Sequence, residues 1–220
     1  PGRVRVSLAG DAGQSLGAFL GDGVELRLWG TANDGVGKGM AGGRIVVSPA
    51  PDTEDEPVLL GNAALYGATG GELFVAGAAG ERFAVRNSGA LAVVEGVGAN
   101  GCEYMTGGLV VVLGELGPNF AAGMTGGLAY VFDPASGLER FLNPDLVRAL
   151  ELGPEGRHEL ADLLRRHARH TGSAAARRTL ASWPRAASAF RAVVPKAPTV
   201  PVRVNENETP AVSTGNRAAL

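Results

Sequence analysis

The sequence predicts a mainly β fold, a single-stranded parallel β-helix (a solenoid) followed by a few short α-helices. Three observations predict it. Glycine reaches 34 of 220 residues, about twice its usual ~7% share, and residues 1–132 hold 29 of them. A small-residue pair recurs as Gly42-Gly43, Gly70-Gly71, Gly89-Ala90, Gly107-Gly108 and Gly126-Gly127, at spacings of 28, 19, 18 and 19. The longer first spacing contains the Pro-rich, acidic stretch Ser48–Pro57, and removing about nine residues there makes the period uniform, the mark of a repeat architecture. Behind each pair stands a short β-branched run.

The columns of this alignment define the repeat unit. Four residues after the pair stand Val47, Val75, Val94, Val112 and Val131, and two residues after stand Ile45, Leu73, Ala92, Val110 and Ala129. Strand residues alternate faces, so these two columns share one face, apolar in every copy, and point inward. Between them stand Val46, Phe74, Val93, Val111 and Tyr130. Nineteen residues trace about 60 Å of strand path, enough for one circuit of a flattened coil, with successive circuits stacked ~4.8 Å apart in parallel ladders. Identical side chains then lie above one another, and each buried valine stabilises by roughly 1.5–3 kcal/mol. The paired glycines are expected at corners where the backbone bends or approaches its neighbour. The stretches Arg3–Gly10 and Gly23–Gly30 read as strands of two earlier, degenerate turns, interrupted by Asp11–Leu20. The first strand lies near the start of the chain, so this end of the coil is expected to need a cap from elsewhere.

Composition changes near Asp133-Pro134. Before it stand 7 basic and 13 acidic residues, after it 13 basic and 9 acidic. The second region reads as helices: Asn143–Leu152, with Asn143 as cap and Pro144 in the first turn; Pro154–Gly172, with an apolar stripe at Leu160, Leu163 and Leu164; Ser173–Pro184, capped by Ser173; and a short one over Arg185–Val194. From Pro195 the chain is Pro-rich and polar, an extended or disordered tail.

Candidate chemistry is sparse. The near-neutral balance, a formal net charge of −2, argues against nucleic-acid or membrane-surface binding, and no apolar run is long enough to span a bilayer. A single cysteine, Cys102, excludes an internal disulfide and a cysteine-only metal site and points to a reduced, cytoplasmic setting. Its column carries Gly37, Leu65, Ala84 and Ala121, so it reads as a packing residue, and no histidine precedes residue 158 to activate it. Gly37–Gly42 and Gly96–Gly101 fit a dinucleotide fingerprint, but each leads into a strand and offers no helix N-terminus to a pyrophosphate. Glu72, Glu81, Glu95 and Glu103 fall in different columns. Arg82, Arg86 and Asn87 interrupt the small-residue columns and read as cover for the coil's flank. His158, His167 and His170 lie among arginines and read as a solvated helix face rather than a metal site.

Gly61–Asp133, with Asn33–Val47, Gly10–Leu20 and the helical end Leu163–Pro184, resembles the C-terminal GXGXG domain of the glutamate synthase large subunit; the resemblance covers roughly residues 1–194. It implies a right-handed β-helix domain over residues 1–142, a helical appendage over 143–194 that packs on the solenoid or a partner, and a tail over 195–220. In that family the enzyme converts glutamine, 2-oxoglutarate and reducing equivalents to two glutamates, in ammonia assimilation. The resemblance implies a structural role for this domain, with no catalytic, cofactor or metal residues of its own. FMN and an iron–sulfur cluster are expected in other domains, and the amidotransferase and FMN-binding synthase domains are the implied partners. Self-association through solenoid surfaces stays open, as does the donor, NADPH, NADH or ferredoxin. Two other classes compete. One is an accessory β-helix protein of another oxidoreductase, similar to one of the chains of formylmethanofuran dehydrogenase, which the helical end disfavours. The other is a free-standing β-helix enzyme, an acyltransferase or polysaccharide lyase, which the absence of a six-residue sub-repeat and the scarcity of basic groups disfavour.

Overall fold

The computed structural model describes residues 3–51, 53 and 57–197. They form a β-solenoid of about seven turns. The strands are β1 (Val4–Ala12), β2 (Val24–Ala32), β3 (Ala41–Ser48), β4 (Val58–Leu60), β5 (Gly70–Val75), β6 (Ala78–Ala79), β7 (Ser88–Val94), β8 (Thr106–Val112), β9 (Gly126–Phe132), β10 (Val147–Glu151) and β11 (Phe190–Pro195). Two helices follow β10: α1 (Pro154–Thr171) and α2 (Ala174–Ala181). One parallel face runs β1-β2-β3-β5-β7-β8-β9, one strand per turn. A narrower wall is built by Ala32 pairing Leu60, by β4 on β6, and by single bridges Ala79–Val97 and Val97–Leu116.

The register stacks like residues. Leu8 pairs Leu28, Leu28 pairs Val47, Val47 pairs Val75, and Val94, Val112 and Val131 follow in line. Val47, Val75, Val94, Val112 and Val131 all lie in the buried inner core, with Ile45, Leu73, Ala92, Val110 and Ala129 beside them. β1 and β2 are therefore full turns. The stretch between them, which looked like an interruption, is the first example of the element that turns the chain.

That element is a six-residue corner in which alternate residues adopt φ between +53° and +75°. The triplets are Ser15-Gly17-Phe19, Gly35-Gly37-Gly39, Ala63-Leu65-Gly67, Arg82-Ala84-Arg86, Asn100-Cys102-Tyr104 and Asn119-Ala121-Gly123. Each reversal of backbone hand flips the N–H. The outer members donate to the following turn (Gly35 N to Asn62 O, 2.8 Å; Gly39 N to Tyr66 O, 2.9 Å), and the middle member to the preceding one (Gly37 N to Leu16 O, 2.9 Å; Leu65 N to Val36 O, 2.7 Å). Only six of the eighteen positions are glycine, so the remaining left-handed residues cost about 1–2 kcal/mol each, offset by satisfying the corner's amides. Cys102 is the middle member of its triplet and fully buried.

The small-residue pairs stand one step beyond the corner, where a bulge shifts the register as the chain joins the strand. A Cβ on the first member would strike the preceding turn's carbonyl: Gly70 meets Ala41 O, Gly89 meets Thr69 O, Gly107 meets Ser88 O and Gly126 meets Thr106 O. The second members Gly43, Gly71, Gly108 and Gly127 have φ of +73° to +90°. The turn of β7 has Ala90 there instead. Asn87 supports it, accepting from Gly89 N and Ala90 N at 3.2 and 2.8 Å and donating to Ala90 O at 2.9 Å. Asn87 is thus buried in the wall, while Arg82 and Arg86 lie exposed on the corner.

The second region differs from the expected run of helices. Residues 147–151 form β10, not a helix, and Phe190–Pro195 forms β11 after a short 3-10 turn at Ala186–Ala189. β11 pairs antiparallel with β9, and β10 with β11, so both continue the main face and close its C-terminal edge. The physical reason is the open ladder of β9, which outweighs the Asn-Pro start signal, and Val147 and Val193 complete the inner core. Gly172 ends α1 at φ +75°, and the Ser173 hydroxyl caps α2 by accepting from Ala176 N at 2.9 Å. The proposed tail falls, from residue 198 on, outside the described residues.

Gly71→Ala and Gly67→Ala separate strain from space. Both positions have positive φ, but a Cβ at Gly71 meets Gly42 O at 2.6 Å, whereas at Gly67 it meets nothing. The expected losses in urea unfolding are about 2–4 kcal/mol for Gly71→Ala, from strain plus overpacking, and about 1 kcal/mol for Gly67→Ala.

Candidate functional site

The main sheet is apolar on both faces. Its outward column, Val46, Phe74, Val93, Val111 and Tyr130, forms a second core with Leu160, Leu163 and Leu164 of α1, Ala176 of α2, and Phe190. α1 lies across the strands, with Glu159 accepting from the Tyr130 hydroxyl of β9 at 2.9 Å and His170 next to Arg27 of β2. This seam gathers a connected set of ionisable groups from the sheet and α1.

His167 is fully buried, and so the expectation of a solvated histidine face is wrong for it. The stripe Leu160, Leu163, Leu164 continues to residue 167 at helical spacing, and that continuation was the overlooked signal. His167 Nε2 donates to Glu95 at 3.0 Å, the Ser173 hydroxyl donates to the same carboxylate oxygen, and His167 Nδ1 is left buried without a partner among the described residues. Phe74 stacks with His167 and His170, at ring distances of 6.1 and 5.0 Å, and Arg166 lies over the same ring at 5.3 Å. His170 is partly buried; only His158 is well exposed, beside Asp162 at 3.5 Å.

Toward the first turns the outward face becomes a ladder of alternating charge, Arg5, Glu25, Arg44 and Glu72, on four consecutive strands. Glu25 meets Arg5 at 3.1 Å, Arg27 at 2.5 Å and Arg44 at 3.3 Å, while Glu72 meets Arg44 at 2.6 Å and also binds Arg166 of α1. Burial alone would raise both carboxyls, but the hydrogen bonds and charges of these arginines hold them below the usual range. His170 is held below its ordinary value by burial first and then by Arg44 and Arg27.

The carboxylates of this seam are committed to internal partners. Burial pushes the Cys102 thiol up, away from a thiolate. No group of three potential metal ligands occurs among the described residues, and no helix there is long and apolar enough to cross a membrane. The two fingerprint-like stretches run through the solenoid's corners: Gly37–Gly42 leads from the Gly35-Gly37-Gly39 corner into β3, and Gly96–Gly101 enters the corner of Asn100. A cleft of about 280 Å³ opens near Glu115, Phe132, Asp133 and Arg140, and Asp133 there accepts from Gly137 N and Leu138 N at 2.8 and 3.2 Å.

About seven stacked turns, reversing-hand corners and a helix clamped by half-buried polar pairs define a β-solenoid domain. The GXGXG motif family matches residues 1–196, and the chain belongs to it. Gly35–Gly39 is the one corner that spells the alternation in glycine throughout. The chain is 51% identical over 201 residues to the glutamate synthase [NADPH] large chain of Azospirillum brasilense, covering 89% of this chain and 13% of that one. It is 50% identical over 197 residues to the glutamate synthase [NADH] of Schizosaccharomyces pombe, covering 88% and 9%. To the ferredoxin-dependent glutamate synthase of Pyropia yezoensis it is 47% identical over 222 residues, covering 99% and 14%. The chain thus spans 9% to 14% of the length of these relatives.

Glu95→Ala strands the buried His167 and Ser173, with an expected cost of about 1–3 kcal/mol and faster amide exchange in α1 than in β7–β9. A second outcome concerns pH. The folded value of His170 lies below its ordinary one near 6.5, so the unfolded chain binds the proton more tightly. Stability is whole above about pH 6.5 and declines as pH falls toward the folded value; His170→Gln flattens that limb of a denaturation series.

Proposed function

We propose that this chain is the structural β-helix domain of a glutamate synthase large subunit. It packs against the amidotransferase and FMN-binding synthase domains and contributes no catalytic residue. The observation that carries this reading is the set of relatives: three chains named for three different electron donors match this one at 47–51% identity, each over a small fraction of its own length. A domain whose sequence is indifferent to the reductant takes no part in receiving electrons. The seam supports the same division of labour, since Glu72, Glu95 and His167 serve to hold α1 on the sheet, while Glu25 ties together the arginines of β1, β2 and β3. FMN and the iron–sulfur cluster then belong to other domains, in a cytoplasmic enzyme. The test is to assay the purified 220-residue chain for glutamine hydrolysis, for glutamate formation from glutamine and 2-oxoglutarate with each of the three donors, and for FMN retention. The expected result is none of these from the chain alone and glutamate formation from the complete assembly. Turnover or flavin binding by the chain alone overturns the reading.

A further inference from the structure

We propose that the Asn100-Gly101 step is a latent deamidation site, held inert by the corner it sits in and released when that corner opens, with an isoaspartyl product that the corner cannot take back. The proposal concerns the coil itself and does not depend on the reaction of the assembly.

Two separate demands set these residues side by side. Asn100 opens the corner Asn100-Cys102-Tyr104 at φ +62°, a left-handed conformation that asparagine tolerates better than most side chains. Gly101 is buried, and a Cβ there would come within 3.0 Å of the Phe120 ring and 3.1 Å of Val97. The chain contains no other Asn-Gly step. The Asn100 side chain is half-buried and makes no hydrogen bond among the described residues, so only the backbone restrains it. An asparagine followed by glycine is open to attack by the next backbone nitrogen, because no side chain shields it. Gly101 N gives up its proton to solvent and bonds to Asn100 Cγ. The side-chain amide takes up a proton and leaves as ammonia, and a five-membered succinimide remains. Water then opens either ring carbonyl, giving an aspartyl or an isoaspartyl residue. One water is consumed and one ammonia released, with no other reactant.

The corner blocks the first step. In the left-handed region the next backbone nitrogen lies nearly anti to the side chain about the Cα–C bond, whereas ring closure needs the two almost eclipsed. Bringing them together turns over the peptide plane between Asn100 and Gly101. That plane cannot turn alone. Gly101 O accepts from Ala121 N at 2.8 Å, and Cys102 N donates to Phe83 O at 2.7 Å, one bond to each neighbouring turn. Asn100 N is tied to Pro118 O at 2.9 Å. Attack therefore waits for a local opening that breaks these bonds together, and its rate follows the open population. The two products then part. An aspartyl residue keeps the length of the backbone and, like asparagine, accepts a left-handed angle. An isoaspartyl residue runs the main chain through Cβ and Cγ and adds one atom. The amides of Cys102 and Tyr104 then no longer meet Phe83 O and Ala122 O. Each isoaspartyl event holds its corner open.

The test follows deamidation at mildly alkaline pH by peptide mapping, with isoaspartyl residues counted by enzymatic methylation. It is run on the 220-residue chain and on the complete assembly in native buffer, and on the chain unfolded in urea. The expected result is loss of Asn100 in urea with the isoaspartyl product in excess, and loss slower by about tenfold or more in both native samples. Ala121→Val sets a β-branched side chain at φ +57° in the corner stacked on this one, and is expected to speed native deamidation severalfold. Asn119→Ala, the milder change if Ala121→Val does not fold, is expected to speed it measurably. No deamidation of Asn100 in urea overturns the site. Equal rates in native buffer and urea overturn the lock. Protection unmoved by both variants, or found only in the assembly, overturns the corner as its source. Hydrogen exchange reads the product: isoaspartyl molecules are expected to lose protection at the Cys102 and Tyr104 amides, and Asn100→Asp to keep it. Protection equal in the two overturns the claim that the corner cannot take the isoaspartyl residue back.

Discussion

The constraint on which this molecule depends is closure of each circuit within about nineteen residues while every backbone amide finds a neighbour. Straight strands satisfy that demand through parallel ladders, but the corner cannot, because a bending chain turns its N–H groups away from the stack. Reversing backbone hand at every second residue solves it. The corner's donors point alternately to the turn above and the turn below, so the ladder continues through the bend. The valine column, the bulged glycine pairs and the narrow second wall all require that each circuit return in register.

A second demand follows from the sheet itself. Its outward column is as apolar as its inward one over five strands, so the solenoid is incomplete without cover. α1 supplies it, and the polar groups beneath the helix are arranged so that its approach leaves no carboxylate unpaired. Glu95 gathers an imidazole and a hydroxyl, Glu72 gathers two guanidinium groups, and Tyr130 reaches Glu159 at the far end. Such pairs add little net stability over apolar contacts, but they fix one position of the helix among many that greasy packing would allow.

Much of this was legible in the residues and some was not, for physical reasons. The recurring pairs and the Val47-to-Val131 column announced the stack because in-register packing repeats one side chain per turn. The outward column stood in the same alignment, and its meaning, a second core awaiting a helix, was there to be read. The corner was hidden because its requirement is on backbone angles, which Ala63, Leu65, Arg82 and Cys102 meet at a cost and so leave little compositional trace; only Gly35-Gly37-Gly39 spells it out. β10 and β11 were hidden because a neighbouring edge, not their own sequence, makes them strands. His167 was misjudged because Arg165 and Arg169 beside it in sequence face solvent, and Arg166, which does reach the sheet, does so through an ion pair that composition alone does not reveal.

The lie of α1 has a consequence for how the protein comes apart. In a solenoid each repeat touches only its neighbours, so such chains tend to fray from their ends one unit at a time. A helix of eighteen residues is about 27 Å long, comparable to the rise from β9 to β2, and its anchors at Glu159, Arg166, His167 and His170 reach four different repeats. It acts as a splint. No single circuit beneath it can peel away while the splint stays fixed, so the middle of the rod melts as one block and gradual loss is confined to what lies beyond its two tips.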